Sequence, residues 1–225
     1  MYHIAPMPAP LDEALRQQLL ACEPATIGHF REAGFVDPAI RSVLAETRIA
    51  GTAVTLSLPP SDGTLLNHAM RLVRPGDVLI IDRQDDKRHA CWGGVMTQVA
   101  KGLGVAGVII DGKATDAATI REQDFSVWSR GVAALTTKLA GVGGTMNAPV
   151  SVGGVVVQPG DAILADENGV LVLPRDEVAA IAAHAIELQA QEETVLARVA
   201  KGECLPDISG ATALVERINR DADTP

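Results

Sequence analysis

Two adjacent glycines, Gly93-Gly94, lead through Val95-Met96 into a short amphipathic stretch, and the buried-looking run Val105 to Ile110 then delivers Asp111-Gly112-Lys113-Ala114-Thr115-Asp116. Paired glycines before a helix let a ligand approach bare backbone N–H groups where the helix dipole favours an anion. A carboxylate could rest there, on the amides of Gly93, Gly94, Val95 and Met96. Asp116 lies in the polar turn at the carboxyl end of a strand, where ligands collect in α/β sheets, and its oxygens could hold a metal beside that carboxylate. Asp116 is also a favoured residue to cap a helix beginning Ala117-Ala118-Thr119-Ile120, and cap and metal ligand are not exclusive. The glycines could equally be a tight turn, and Lys113, Arg88 and Arg130 solvated or ion-paired surface cations.

Two other patterns here are accidental. Gly102 to Gly107 spells G-x-G-x-x-G, but it lies between a helix and a strand, the reverse of a dinucleotide-binding turn. Gly107 to Lys113 spells G-x-x-x-x-G-K, with Ala114 where a phosphate loop needs Ser or Thr. The histidines His3, His29, His68, His89 and His184 are scattered without ligand spacing.

The elements that must position these residues alternate. Leu11 to Cys22 reads as a helix ended by Glu23-Pro24, and Thr26 to Ala33 as a second helix capped by Thr26. Ile49 to Leu56 is strand-like and stops at Pro59-Pro60. A helix capped by Asp62 or Thr64 runs to about Val73, and Val78 to Asp82 is the continuously apolar kind of strand that is buried on both faces. Beyond Asp116 the pattern predicts a helical turn to Glu122, a strand from Phe125 to Trp128, a loop over 141–149, short antiparallel strands from Pro149 to Pro174, and a long helix over about 175–201. Helices alternating with strands, then a β layer and a terminal helix, predict a layered α/β domain occupying the whole chain, with a helical segment over 1–34.

Composition narrows the function. A chain of 225 residues that is 47% hydrophobic but 3% aromatic must build its core from Val, Ile, Leu and Ala. Its net charge of −9 argues against nucleic acid, although a local field can still attract small anions. Three cysteines without a C-x-x-C pair fit a reducing compartment, and no run is long enough for a membrane span, so a cytoplasmic protein is expected.

With these residues in view, the chain resembles the RraA-like family, which includes class II aldolases of 4-hydroxy-4-methyl-2-oxoglutarate and 4-carboxy-4-hydroxy-2-oxoadipate as well as the ribonuclease E regulator. The resemblance runs from about Ala25 to Lys201. It rests on Pro75-Gly76-Asp77-Val78, Trp92-Gly93, Gly107 to Gly112, Asp116, Arg130-Gly131, Pro149 to Gly154 and Pro159 to Asp166. It implies a compact β/β/α, swivelling-domain-like fold and a homo-oligomer, trimer or hexamer, with sites between subunits. It further implies a small 2-oxo acid held by its carboxylate on the amides after Gly93, and Mg²⁺ or Mn²⁺ on Asp116.

The family's arginine before that aspartate is Thr115 here, and the acidic residues expected at 94 and 119 are Gly94 and Thr119. Thr115 offers a hydroxyl without charge, so a cation for the developing enolate would come from Lys113, Arg88 or Arg130. The resulting expectation is a metal-dependent lyase releasing pyruvate by retro-aldol cleavage or decarboxylation. The alternatives are a non-catalytic regulator and a family member with a changed reaction.

Overall fold

The computed structural model describes residues 1–222. After a short strand β1 (Tyr2–Ile4), helix α1 (Glu13–Leu20) is shorter than its apolar pattern suggests. Asp12 caps it, accepting the Ala14 N–H at 2.9 Å, while the Leu11 N–H is held by Thr52 Oγ1 at 2.7 Å and so ties Leu11 to the sheet instead of the helix. Helix α2 (Pro24–Ile27) starts at the very proline expected to end α1, because a first-turn position needs no N–H donor. Thr26 therefore lies inside α2, buried, and is not its cap.

The chain continues through β2 (Arg41–Ser42), β3 (Arg48–Ser57), α3 (Thr64–Ala69), β4 (Asp77–Asp82), β5 (Ala90–Trp92), α4 (Gly94–Gly102), β6 (Gly107–Asp111), β7 (Lys113–Ala114), α5 (Ala117–Glu122) and β8 (Val127–Ser129). The segment expected as loop over 141–149 contains β9 (Gly144–Met146), which is followed by β10 (Val150–Val152), β11 (Val155–Val157), β12 (Ala162–Asp166) and β13 (Gly169–Leu173). A 3₁₀ turn at Arg175–Glu177 then opens the long helix α6 (Val178–Ala200). Two further helices follow, α7 (Leu205–Ser209) and α8 (Ala211–Ala222).

The main sheet has the order β1-β9-β3-β4-β6-β8-β2, with β3, β4, β6 and β8 parallel and β12-β13 added antiparallel along the first half of β3. The apolar strands behave as a doubly buried pattern requires, since successive side chains point to opposite faces. Leu79, Ile81, Val108 and Ile110 pack with Leu65, Leu66 and Ala100 of α3 and α4. Val78, Ile80 and Ile109 pack on the other face with Val152 and Val157 of the β10–β11 hairpin. Helices α1 and α6 cover β12-β13 through Leu19, Leu164, Leu173, Ile181 and Ala185.

Each fully buried Leu, Ile or Val contributes about 1.5–3 kcal/mol, so a core whose aromatic rings are chiefly Trp92, Trp128 and Phe125 is held together mostly by aliphatic burial. This arrangement keeps the carboxyl ends of β4, β6 and β8 on one edge, and the turns that follow them carry the candidate site.

Candidate active site

Strand β6 ends at Asp111 and the chain reverses through Gly112 into β7, which pairs with β5 at Trp92↔Ala114. The Thr115 N–H donates to the Trp92 carbonyl at 2.8 Å, so the Lys113–Asp116 turn lies directly against the Trp92-Gly93-Gly94 loop. Trp92 holds that loop in place. Its ring stacks on Phe125 with centroids 6.1 Å apart, and its Nε1–H donates to Thr97 Oγ1 at 2.9 Å.

Across this junction the Gly94 N–H donates to Asp116 Oδ2 at 2.9 Å. Asp116 adopts a left-handed backbone conformation, φ 54°, at the start of α5, and its side chain makes no bond to α5 itself. The aspartate that could have capped its own helix instead caps α4. Both glycines are needed for this. A Cβ on Gly93 would stand 2.5 Å from Asp116 Oδ2 and 2.8 Å from Thr115 Cγ2, and one on Gly94 would stand 2.8 Å from Thr119 Cγ2.

Gly94 and Thr119 thus occupy one packing site. The Thr119 methyl fills the space a side chain at 94 would occupy. Gly94 therefore does not open extra room on that side.

With the Gly94 N–H taken by Asp116, the orphan donors left in the first turn of α4 are the N–H groups of Val95 and Met96. The Gly94 amide is therefore not among the donors open to an anion. The Val95 side chain is 79% exposed and Met96 packs partly against the core, so the polar groups that both present here are their backbone N–H groups.

The three candidate cations are placed differently. Lys113 Nζ donates to the Arg130 carbonyl at 2.6 Å and retains two further N–H donors. Arg130 donates from Nη1 to Asp37 Oδ2 at 2.7 Å and from Nε to Asp111 Oδ1, while Asp111 Oδ2 accepts the Gly153 N–H at 2.7 Å. That network ties the β10–β11 hairpin to the end of β6 and raises the Arg130 pKa through the Asp111 contact first. Asp37 is held below its ordinary value, by the Ala39 N–H and then by Arg130. Arg88 is exposed in the loop before β5, where its backbone N–H donates to Asp86 Oδ1 at 2.9 Å.

That loop hides residues that sequence reasoning missed. Arg83, in a stretch that reads as surface, is fully buried and donates from Nη2 to Asp86 Oδ2 at 3.0 Å. Asp86 also faces His89 Nδ1 at 3.0 Å. Burial works to raise the Asp86 carboxyl, but the N–H groups of Arg88 and His89 and the His89 ring outweigh it and bring it down to about 2. The only signal was the concentration of charge between two apolar strands.

No group of three or more His, Cys, Asp or Glu side chains among the described residues is arranged to hold a metal. Asp116 still fits a hard divalent ion, because Mg²⁺ is commonly taken through one or two carboxylates with water and ligand oxygens completing its shell. Its second oxygen, Oδ1, meets Thr115 Oγ1 at 3.3 Å and keeps lone pairs free.

The sequence profile of the RraA-like family, described as Aldolase/RraA, matches residues 21–172. The chain belongs to the RraA-like family. Over 154 residues this RraA-like chain is 32% identical to a protein of Halalkalibacterium halodurans named "Putative 4-hydroxy-4-methyl-2-oxoglutarate aldolase", a match covering 68% of this chain and 73% of the relative. Among solved structures it is similar to Streptomyces coelicolor RraAS2, titled an unusual member of the RNase ES inhibitor RraA protein family, with TM-score 0.75, 25% identity, and coverage of 84% of this chain and 99% of that one. The RNA-processing inhibitor RraA from Thermus thermophilis gives TM-score 0.61 and 29% identity over 68% of this chain and 92% of that one. The layered α/β fold with its long helix α6 is therefore the RraA fold, and the aldolase relatives support a lyase family acting on a small molecule.

Proposed function

We propose that this RraA-like protein is a divalent-metal-dependent lyase that cleaves a small 2-oxo acid and releases pyruvate, by retro-aldol cleavage or by decarboxylation of an oxaloacetate-type substrate. The observation that carries this reading is the 2.9 Å contact between Gly94 N–H and Asp116 Oδ2, which sets the start of α4 and the carboxylate side by side. The N–H groups of Val95 and Met96 bind the substrate carboxylate and orient the 2-oxo group toward Asp116. Asp116 would hold Mg²⁺ or Mn²⁺, which when bound would supply Lewis-acid polarisation of that oxo group.

As the C3–C4 bond breaks, its electron pair moves into the pyruvate enolate. The C4 hydroxyl loses a proton to become a carbonyl in the retro-aldol case, CO₂ departs in the decarboxylation, and protonation at C3 completes pyruvate. Thr115 and Lys113 lie i, i+2 on the same extended segment, and we assign them the enolate oxygen, the hydroxyl as a neutral donor and the ammonium as the cation. Arg130, bound by two carboxylates, is assigned the placement of Lys113 through its carbonyl.

Loss of one preorganised donor in a comparable anion site lowers rate about 10²- to 10³-fold, so turnover is expected to be slow beside a relative with an arginine at 115. A homotrimer or hexamer belongs to the same proposal, supported by the exposure of Val95 and Asp116 on a single subunit, and so does a cytoplasmic location. No helix among the described residues is long and apolar enough to cross a membrane.

The test is pyruvate release from oxaloacetate or a 4-hydroxy-2-oxo diacid. Dependence on added Mg²⁺ and loss in Asp116→Ala support the reading; turnover that ignores both contradicts it. A second reading, a non-catalytic regulator, is favoured by Thr115 in the arginine position and by the RraAS2 likeness. Absent turnover together with a protein partner still captured by Asp116→Ala would support it.

A further inference from the structure

A separate cavity of about 390 Å³ opens on the other side of α5 from the Gly94–Asp116 contact. Thr119 faces Gly94, whereas Arg121, two residues later and so about 200° further round the helix, lines this cavity. Arg41 on β2 and Arg130 line the same cavity.

The wall contains no aspartate or glutamate, which is unexpected in a chain of net charge −9. Arg130 is neutralised by Asp37 and Asp111, but Arg41 and Arg121 have no carboxylate partner among the described residues. Each is instead steered by a main-chain carbonyl: Arg121 Nε donates to Val43 O at 3.1 Å and Arg41 Nε to Pro38 O at 3.4 Å. Those bonds orient the guanidinium planes and leave the Nη donors available, so less freedom is lost when a ligand arrives. Ser42 Oγ, which accepts the Leu44 N–H at 3.1 Å, still has its own hydrogen to donate into the same space.

We infer that Arg41 and Arg121 form a binding site for a small dianion bearing carboxylate or phosphate groups. Two uncompensated cations in an acid-free wall favour a doubly charged ligand, and guanidinium forks suit planar or tetrahedral oxyanions bidentately. Both arginines are exposed, so binding weakens as salt is added. The site shares no ligand-binding group with the proposed lyase centre.

Isothermal titration of the full chain with inorganic phosphate and, separately, with succinate, each at constant ionic strength set by chloride, tests it. Expected is one ion bound per chain, at least tenfold more weakly in Arg41→Gln and Arg121→Gln, with Asp116→Ala unchanged. Tighter phosphate binding identifies a phosphate-bearing ligand, and tighter succinate binding a carboxylate-bearing one. No binding of either ion, or equal binding by the folded double variant Arg41→Gln/Arg121→Gln, overturns the inference, whatever the outcome of the pyruvate assay.

Discussion

Gly94 and Asp116, 22 residues apart in the chain, are joined by one hydrogen bond of 2.9 Å from main-chain N–H to carboxylate Oδ2. The bond requires the left-handed turn at Asp116 and the bare Cα of Gly93, and it converts a possible cap of α5 into the roof of α4. Everything proposed for catalysis depends on that junction.

Gly93→Ala tests the junction with a single methyl group. The Gly93 backbone, φ −152°, suits alanine, so any loss arises from the contacts with Asp116 Oδ2 at 2.5 Å and Thr115 Cγ2 at 2.8 Å. The expected result is destabilisation of about 1–3 kcal/mol by overpacking, read by urea denaturation, with lyase activity reduced at least tenfold in the folded fraction.

Restoring charge beside Asp116 should raise turnover. Thr115→Arg is expected to increase kcat by about 10²- to 10³-fold if Thr115 stands at the enolate oxygen, measured as pyruvate release under saturating Mg²⁺. An unchanged rate would remove Thr115 from the reacting centre.

Arg130→Gln leaves Asp111 and Asp37 without their common cation and frees the β10–β11 hairpin from β6. A stability loss of about 1–3 kcal/mol is expected, since removing one partner leaves charged acceptors unpaired. With Arg130 as an anchor, kcat of the folded variant stays within a few-fold of wild type, whereas Lys113→Met, which removes the assigned cation, lowers it by an order of magnitude or more.

The Arg83–Asp86–His89 group sets an acid limit. The Asp86 carboxyl falls from an ordinary 3.8 to about 2 in the folded chain, so the unfolded chain binds the proton more readily. Its stabilising effect is present above pH 3.8 and is lost as pH falls toward 2, amounting to about 2 kcal/mol. Asp62, lowered by the N–H groups of Thr64, Val142 and Ala140 and the Thr64 hydroxyl against the opposing effect of its burial, acts in the same direction. Thermal midpoints measured between pH 5 and 2 should decline less steeply in Asp86→Asn, which begins from a lower stability.

The parallel strands were legible because Val78–Ile81 and Val105–Ile110 are apolar throughout, a signature of burial on both faces. The Gly93-Gly94 loop was legible as a helix entry from its paired glycines, which stand at the start of α4. The direction of the Asp116 side chain was not, since its left-handed turn depends on β5 and β7 pairing, a contact no local pattern encodes. β9 was hidden because Gly144-Thr145-Met146 lacks β-branched density and becomes a strand only between β1 and β3. Pro24 was misread because a proline can end one helix or start another, and here α1 has already ended at Leu20 before Pro24 opens α2. Arg83 and Arg130 were indistinguishable by type from the exposed Arg88; Arg83 is paired by Asp86 three residues on in its own buried turn, and Arg130 by Asp37 and Asp111 from other turns.

Crystals soaked with Mg²⁺ and oxalate, a planar mimic of the pyruvate enolate, provide the most direct measurement. The account predicts oxalate chelating a metal on Asp116 with one carboxylate on the N–H groups of Val95 and Met96. Oxalate bound away from those amides, or a metal seated without Asp116, would contradict it.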